Sequence, residues 1–162
     1  MKKFIDLIIL TLSKLTALTL SALVLLIVYD ATMRYLFSEG STALQELEWH
    51  LFDVVILLSI AYTLKMNSHV RVDIFYDRFP KKIKKYIDII SILLFILPFS
   101  FFIIYVSFGF VQMSFLQNEA SSDPGGLPYR WLVKSLILLA FFLLSLQAVR
   151  NLIDDFKELK QC

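Results

Sequence analysis

The chain has 162 residues, 58% of them hydrophobic and 15% aromatic, with only four glycines and four prolines. A mean hydropathy of +0.72 means more apolar surface than a soluble domain of this length can bury, so the composition reads as an integral membrane protein. The formal charge of +2 points to neither a nucleic-acid partner nor an acidic substrate, and the single cysteine, Cys162, excludes an internal disulfide and multi-cysteine redox chemistry.

The opening Met1-Lys2-Lys3 followed by apolar residues has the outline of a secretory leader. The apolar run continues past Tyr29 to Phe37 with no small-x-small site closing it, so it is read as a first span, about residues 11–37. Asp30 and Arg34 stand four apart near its far end and share a helix face. Two readings are open for them: an interfacial ion pair that ends the span, or a contact to another membrane subunit.

Ser38-Glu39-Gly40-Ser41 breaks the helix, and Thr42 to Gln45 fits a capping box that restarts it. The second span, about 44–66, carries Glu46, Glu48, Trp49 and His50 in its first turns, with Trp49 as an aromatic anchor. Asp53 follows one turn deeper, where a carboxylate should face protein or water. Glu46 and Asp53 share a face, which raises a cation site, but nothing else in the sequence supplies a coordination shell.

From Lys65 to Tyr86 runs the longest polar interruption, a basic hinge holding seven of the chain's sixteen Lys and Arg. Ile74, Phe75, Phe79, Ile83, Tyr86, Ile87 and Ile90 recur among its charges at near-helical spacing. The pattern predicts an amphipathic piece on the membrane surface that Pro80 breaks or restarts, with Lys81, Lys82, Lys84 and Lys85 anchored at lipid headgroups. A third span, about 86–116, exceeds the hydrocarbon thickness and must tilt, kink or begin in the interface, with Pro98 expected to supply the kink. The segment from Asn118 to Trp131, with two prolines and two adjacent glycines, is the most turn-rich part. Trp131 opens the fourth span, about 131–150, and a charged tail follows that extends the helix into solvent.

Counting Lys and Arg near the span ends places both termini and the hinge in the cytoplasm. The expected fold is therefore an all-α membrane protein of one domain, residues 1–162, with four transmembrane helices, both termini inside and short amphipathic interfacial segments. No Ser-His-Asp set, metal-ligand cluster or phosphate-binding glycine loop occurs, so an enzyme is not expected. His50 and His69 flank the same span about 28 Å apart, too far to ligate one haem within the chain. The middles of the four spans read as Leu, Ile, Val, Phe, Ser and Thr with charges at the ends, which suits a scaffold better than a conduction path.

Several motifs in order resemble one family. They are Arg34-Tyr35-Leu36-Phe37 closing the first span, Gln45-Glu46-Leu47-Glu48-Trp49 opening the second, and His69-Val70-Arg71-Val72-Asp73 after it. Leu97-Pro98-Phe99 and the block from Glu119 to Trp131 complete the set. Together the chain resembles the small membrane subunit, the DctQ-like small permease, of tripartite ATP-independent periplasmic (TRAP) transporters. The resemblance implies a bacterial or archaeal cytoplasmic-membrane protein that braces a large elevator-type subunit and helps dock a periplasmic substrate-binding protein. Uptake would be of organic acids, driven by sodium, with the sodium and substrate sites in the large subunit and no cofactor in this chain. Candidate contacts to the large subunit are then Asp30, Arg34, Glu46, Glu48, Asp53, His69, Arg71 and Asp73. Candidate docking residues are Ser121, Asp123, Pro124, Gly125, Gly126, Pro128 and Tyr129. The alternative from another class is the membrane anchor of a respiratory redox complex, carrying haem or quinone.

Overall fold

The computed structural model describes residues 2–66 and 79–159; His69, Arg71, Asp73 and most of the expected surface piece lie outside them. The described residues fold into α1 (Lys2–Leu36), α2 (Thr42–Lys65), α3 (Lys81–Ser91), a π-helical stretch (Ile92–Ile96), α4 (Leu97–Leu116) and α5 (Trp131–Leu159), with no strand among them. Four spans are long and apolar enough to cross a membrane: Phe4–Leu36, Thr42–Lys65, Lys82–Leu116 and Trp131–Leu159. That bears out the all-α, four-span reading.

Local chemistry explains the breaks. Beyond α1, Ser38 takes a left-handed conformation at φ +59°, and the Phe37 and Glu39 N–H groups turn back to the Met33 carbonyl, so the helix cannot continue. The capping-box expectation is corrected here. Thr42 is the first helical residue, and the cap is Ser41, extended at φ −126° and ψ 120° with no side-chain capping bond. The one-residue offset takes the Thr42 hydroxyl away from the position where a capping box would use it.

The third span answers its excess length differently from a simple proline kink. Pro98 has no N–H and its ring crowds the carbonyl one turn earlier. The helix widens just before it, with the Leu97 N–H bonding five residues back to Ile92 O, the pattern of a π-bulge. Pro80 caps α3, as its place in the sequence allows. α3 then runs without a break into the span, because Ile89 and Ile92 are buried. The second half of the expected surface piece is thus the start of a transmembrane helix.

α1 packs along α2, α2 along α5, and α5 along α4, whereas α1 and α4 share no substantial interface. The spans form an open layer in the order α1, α2, α5, α4. One apolar cluster joins Ile9 of α1, Leu58 and Ala61 of α2 and Leu143 of α5. A second joins Leu64 of α2, Ile92 of the π stretch and Leu144 and Ala148 of α5. Along α4, Ser100, Ser107 and Ser114 are buried, and such small residues let α4 approach α5 closely. The opposite side of α4, with Phe102, Tyr105 and Phe108, is exposed, as befits helices surrounded by lipid or partner rather than water.

Candidate functional site

Polar contacts gather at the two ends of this layer, and each end ties spans together. At the end where the chain begins, Asp6 of α1 meets Lys65 of α2 at 2.8 Å and Arg150 of α5 at 2.9 Å. Lys85 of α3 lies 2.6 Å from Asp155 and 2.9 Å from Glu158 on α5. Gln147, fully buried, donates to Asn151 at 2.6 Å, and Asn151 donates to the Leu64 carbonyl at 3.4 Å. All four spans are linked here. Lys85, expected at lipid headgroups, is engaged by α5 instead, while Lys82 is exposed.

The opposite end is organised by Glu46. Its carboxylate is buried and accepts the Ser121 hydroxyl, the Leu127 N–H at 2.6 Å and Arg130 at 2.9 Å. The loop between α4 and α5 is folded around it. Ser121 N–H bonds the Leu127 carbonyl, Gly126 N–H the Asp123 carbonyl, and Arg130 N–H the Glu119 carbonyl, each at 3.0 Å. Gly125 sits at φ +79° and Tyr129 at φ +62°. Seven residues were expected to form a docking surface. Ser121 and Gly126 turn inward to Glu46, while Asp123, Pro124, Gly125, Pro128 and Tyr129 are the exposed tip.

Glu119 and Lys134 pair beside this loop, and the Lys134 ammonium also lies 4.0 Å from the Phe110 ring centre. The hydrogen bond from Lys134 holds the Glu119 carboxyl below its ordinary value. Stability from that bond is therefore complete above the unfolded carboxyl range and is lost only as pH falls through the lower folded value. Trp131 stacks edge-on against Phe115 with ring centres 5.1 Å apart, fixing where the loop enters α5.

Asp30, almost wholly buried, pairs with Arg34 along α1, so the ion-pair reading describes the chain by itself. Glu48 lies close enough to feel both charges. One oxygen each of Asp30 and Glu48 is buried without a partner among the described residues. Asp53 and His50 are half-buried on α2, and Trp49 is exposed at its entry, edge-on to Phe52 at 6.4 Å. Sequence reading missed Asp6, Arg130, Lys134 and Asp155 as partners. The available signal was charge opposition, since each lies at the same predicted end of a span as its counter-charge.

The two glycines of the loop make different predictions. A Cβ on Gly126 would run into the Ser121 side chain and come within 2.9 Å of Glu46 Oε2, whereas one on Gly125 meets open space. Gly126→Ala is expected to cost about 2 kcal/mol by forcing the loop off its anchor. Gly125→Ala should cost about 1 kcal/mol, from the left-handed backbone alone. Thermal unfolding with protease sensitivity of the loop measures this, and equal losses for the two would contradict the packing described.

Four apolar helices long enough to cross a bilayer, joined to one another by polar ties at their two ends, define a polytopic helical membrane protein. Residues 23–158 match the family described as tripartite ATP-independent periplasmic transporters, DctQ component. The chain belongs to that family, the small membrane subunit of TRAP transporters. Compared with curated proteins, it has no significant match.

Proposed function

We propose that this chain is the stationary scaffold of a sodium-driven, binding-protein-dependent secondary transporter for organic acids. It braces a large elevator-type membrane subunit that carries the substrate and sodium sites. Both termini and the basic hinge lie in the cytoplasm, and the loop over Glu46 faces the periplasm, where a substrate-binding protein docks. Family membership over most of the chain carries the reading. The cation bias toward the end holding Lys65 and Lys85 supports the orientation. The anchored loop with an exposed tip supports the docking role, because a preorganised surface loses less entropy on binding. Family membership also speaks against the redox-anchor alternative.

The test is reconstitution of the chain with a large subunit and a substrate-binding protein of the same transporter. Sodium-gradient uptake of an organic acid should require all three, and uptake undiminished without this chain would end the scaffold proposal. Arg34→Ala and Asp53→Ala are expected to lower co-purification of the large subunit several-fold, because a lost charge in a membrane contact leaves its counterpart unpaired. Unchanged yield and uptake for both variants would remove these residues from the interface.

A further inference from the structure

The sequence reading placed charge only at the span ends, and Lys14 departs from it. The charged tiers are Asp6, Lys65 and Arg150 at one end and Asp30, Arg34 and Glu46 at the other. α1 rises about 36 Å from Asp6 to Asp30, and α2 about 28 Å from Glu46 to Lys65, so the tiers bracket a hydrocarbon core of about 30 Å. Lys14 lies about 12 Å inward of Asp6 along α1.

It is exposed there. It lines an open groove of about 400 Å³ between α1 and α2, together with Ser13, Thr16, Ser59 and Tyr62. Ser13, Thr16 and Ser59 give their hydroxyl hydrogens to their own helices, at Leu10 O, Leu12 O and Ile56 O, so their oxygens remain as acceptors only. No described carboxylate pairs with Lys14. A lysine stem leaning toward the helix N-terminus recovers about 6 Å, roughly half the distance to the charged tier. An ammonium left at that depth facing lipid is expensive.

The surroundings fit a helix rather than a headgroup. Leu7, Leu18, Leu25 and Val28 share the Lys14 stripe of α1 and are exposed. Ala17 and Ser21, small and four apart beside it, let a second backbone come close. We propose that the α1–α2 face around Lys14 seats a transmembrane helix of the large membrane subunit, and that this helix supplies a carboxylate to the Lys14 ammonium inside the bilayer. The proposal rests on the small-subunit reading above and adds the contact face and the chemistry of its partner.

The test co-expresses the chain with the large subunit and measures how much of the latter a tag on this chain recovers into phosphatidylethanolamine–phosphatidylglycerol nanodiscs. Lys14→Glu should lower recovery about tenfold or more, and Lys14→Arg should keep most of it. Lys14→Leu should lower recovery while the isolated chain stays helical and monodisperse, which separates lost docking from lost folding. Recovery with Lys14→Glu should return when one Asp or Glu in a large-subunit transmembrane helix is changed to Lys. Wild-type recovery with Lys14→Glu overturns the proposal and leaves the subunit reading standing. A wild-type chain that recovers no large subunit overturns both. Unchanged recovery with loss of bound phosphatidylglycerol from Lys14→Leu assigns the groove to lipid, and disulfide cross-linking of two copies through Lys14→Cys assigns it to self-association; either result overturns the proposal.

Discussion

Replacing Glu46 by alanine is expected to release the whole loop between α4 and α5 while leaving the four spans folded. The carboxylate is the common acceptor for the Ser121 hydroxyl, the Leu127 N–H and Arg130. Removing it strands three donors at once, and a backbone N–H without an acceptor cannot rotate to find another as a side chain can. The loop's other bonds are local and close it on itself, as between Ser121 and Leu127 and between Gly126 and Asp123, so they do not hold it to α2. Protease cleavage within residues 118–130 should quicken by about tenfold or more, since local opening sets that rate. Glu46→Gln keeps the shape but places an amide NH2 against one of the donors, and should fall between alanine and wild type. Arg130→Ala removes one of three donors and should be the mildest. If the loop docks a binding protein, Glu46→Ala also abolishes binding-protein-dependent uptake while the large subunit still co-purifies. A loop as protease-resistant in Glu46→Ala as in wild type would mean that Glu46 does not anchor it.

The second large effect is expected at the other end. Asp6→Ala should lower the stability of the purified chain by about 2–3 kcal/mol, because it leaves Lys65 and Arg150 facing each other at the junction of α1, α2 and α5. All three side chains are less than a third exposed, so solvent screens the pair of cations only in part. Asp154→Ala, which removes the longer 3.6 Å contact to Arg150 within α5 and leaves both Asp6 contacts in place, is the comparison and should cost less. Thermal unfolding in one detergent compares them. Equal losses would show that Arg150 is held by its own helix rather than by α1.

The contrast between the two ends also says how far the sequence could be read. The number of spans followed from hydropathy, because a bilayer forces every backbone polar group into a helix and so writes membrane crossings as long apolar runs. The helix break at Ser38, a disturbance at Pro98 and the loop glycines were visible as residue types, while geometry made the disturbance a π-bulge ahead of Pro98 rather than a simple kink. Thr42 shows the limit: its spacing to Gln45 fits a capping box, but one residue of offset at Ser41 removes the capping bond.

The DctQ family was legible from motifs spread along the chain, and the family match bears that out. By itself the sequence determined the class of protein, since composition and span lengths respond to the solvent around the chain and need no knowledge of which helix meets which. Only the tertiary structure decided what each charge is for. Glu46 belongs to a loop far along the chain, Lys85 to the last helix and Asp6 to two helices at once, while Lys14, passed over as the start of a span, stands exposed well inside it. Pairings of this kind depend on the order α1, α2, α5, α4 across the layer, and contact between helices distant in sequence leaves no local pattern of residues to reveal it.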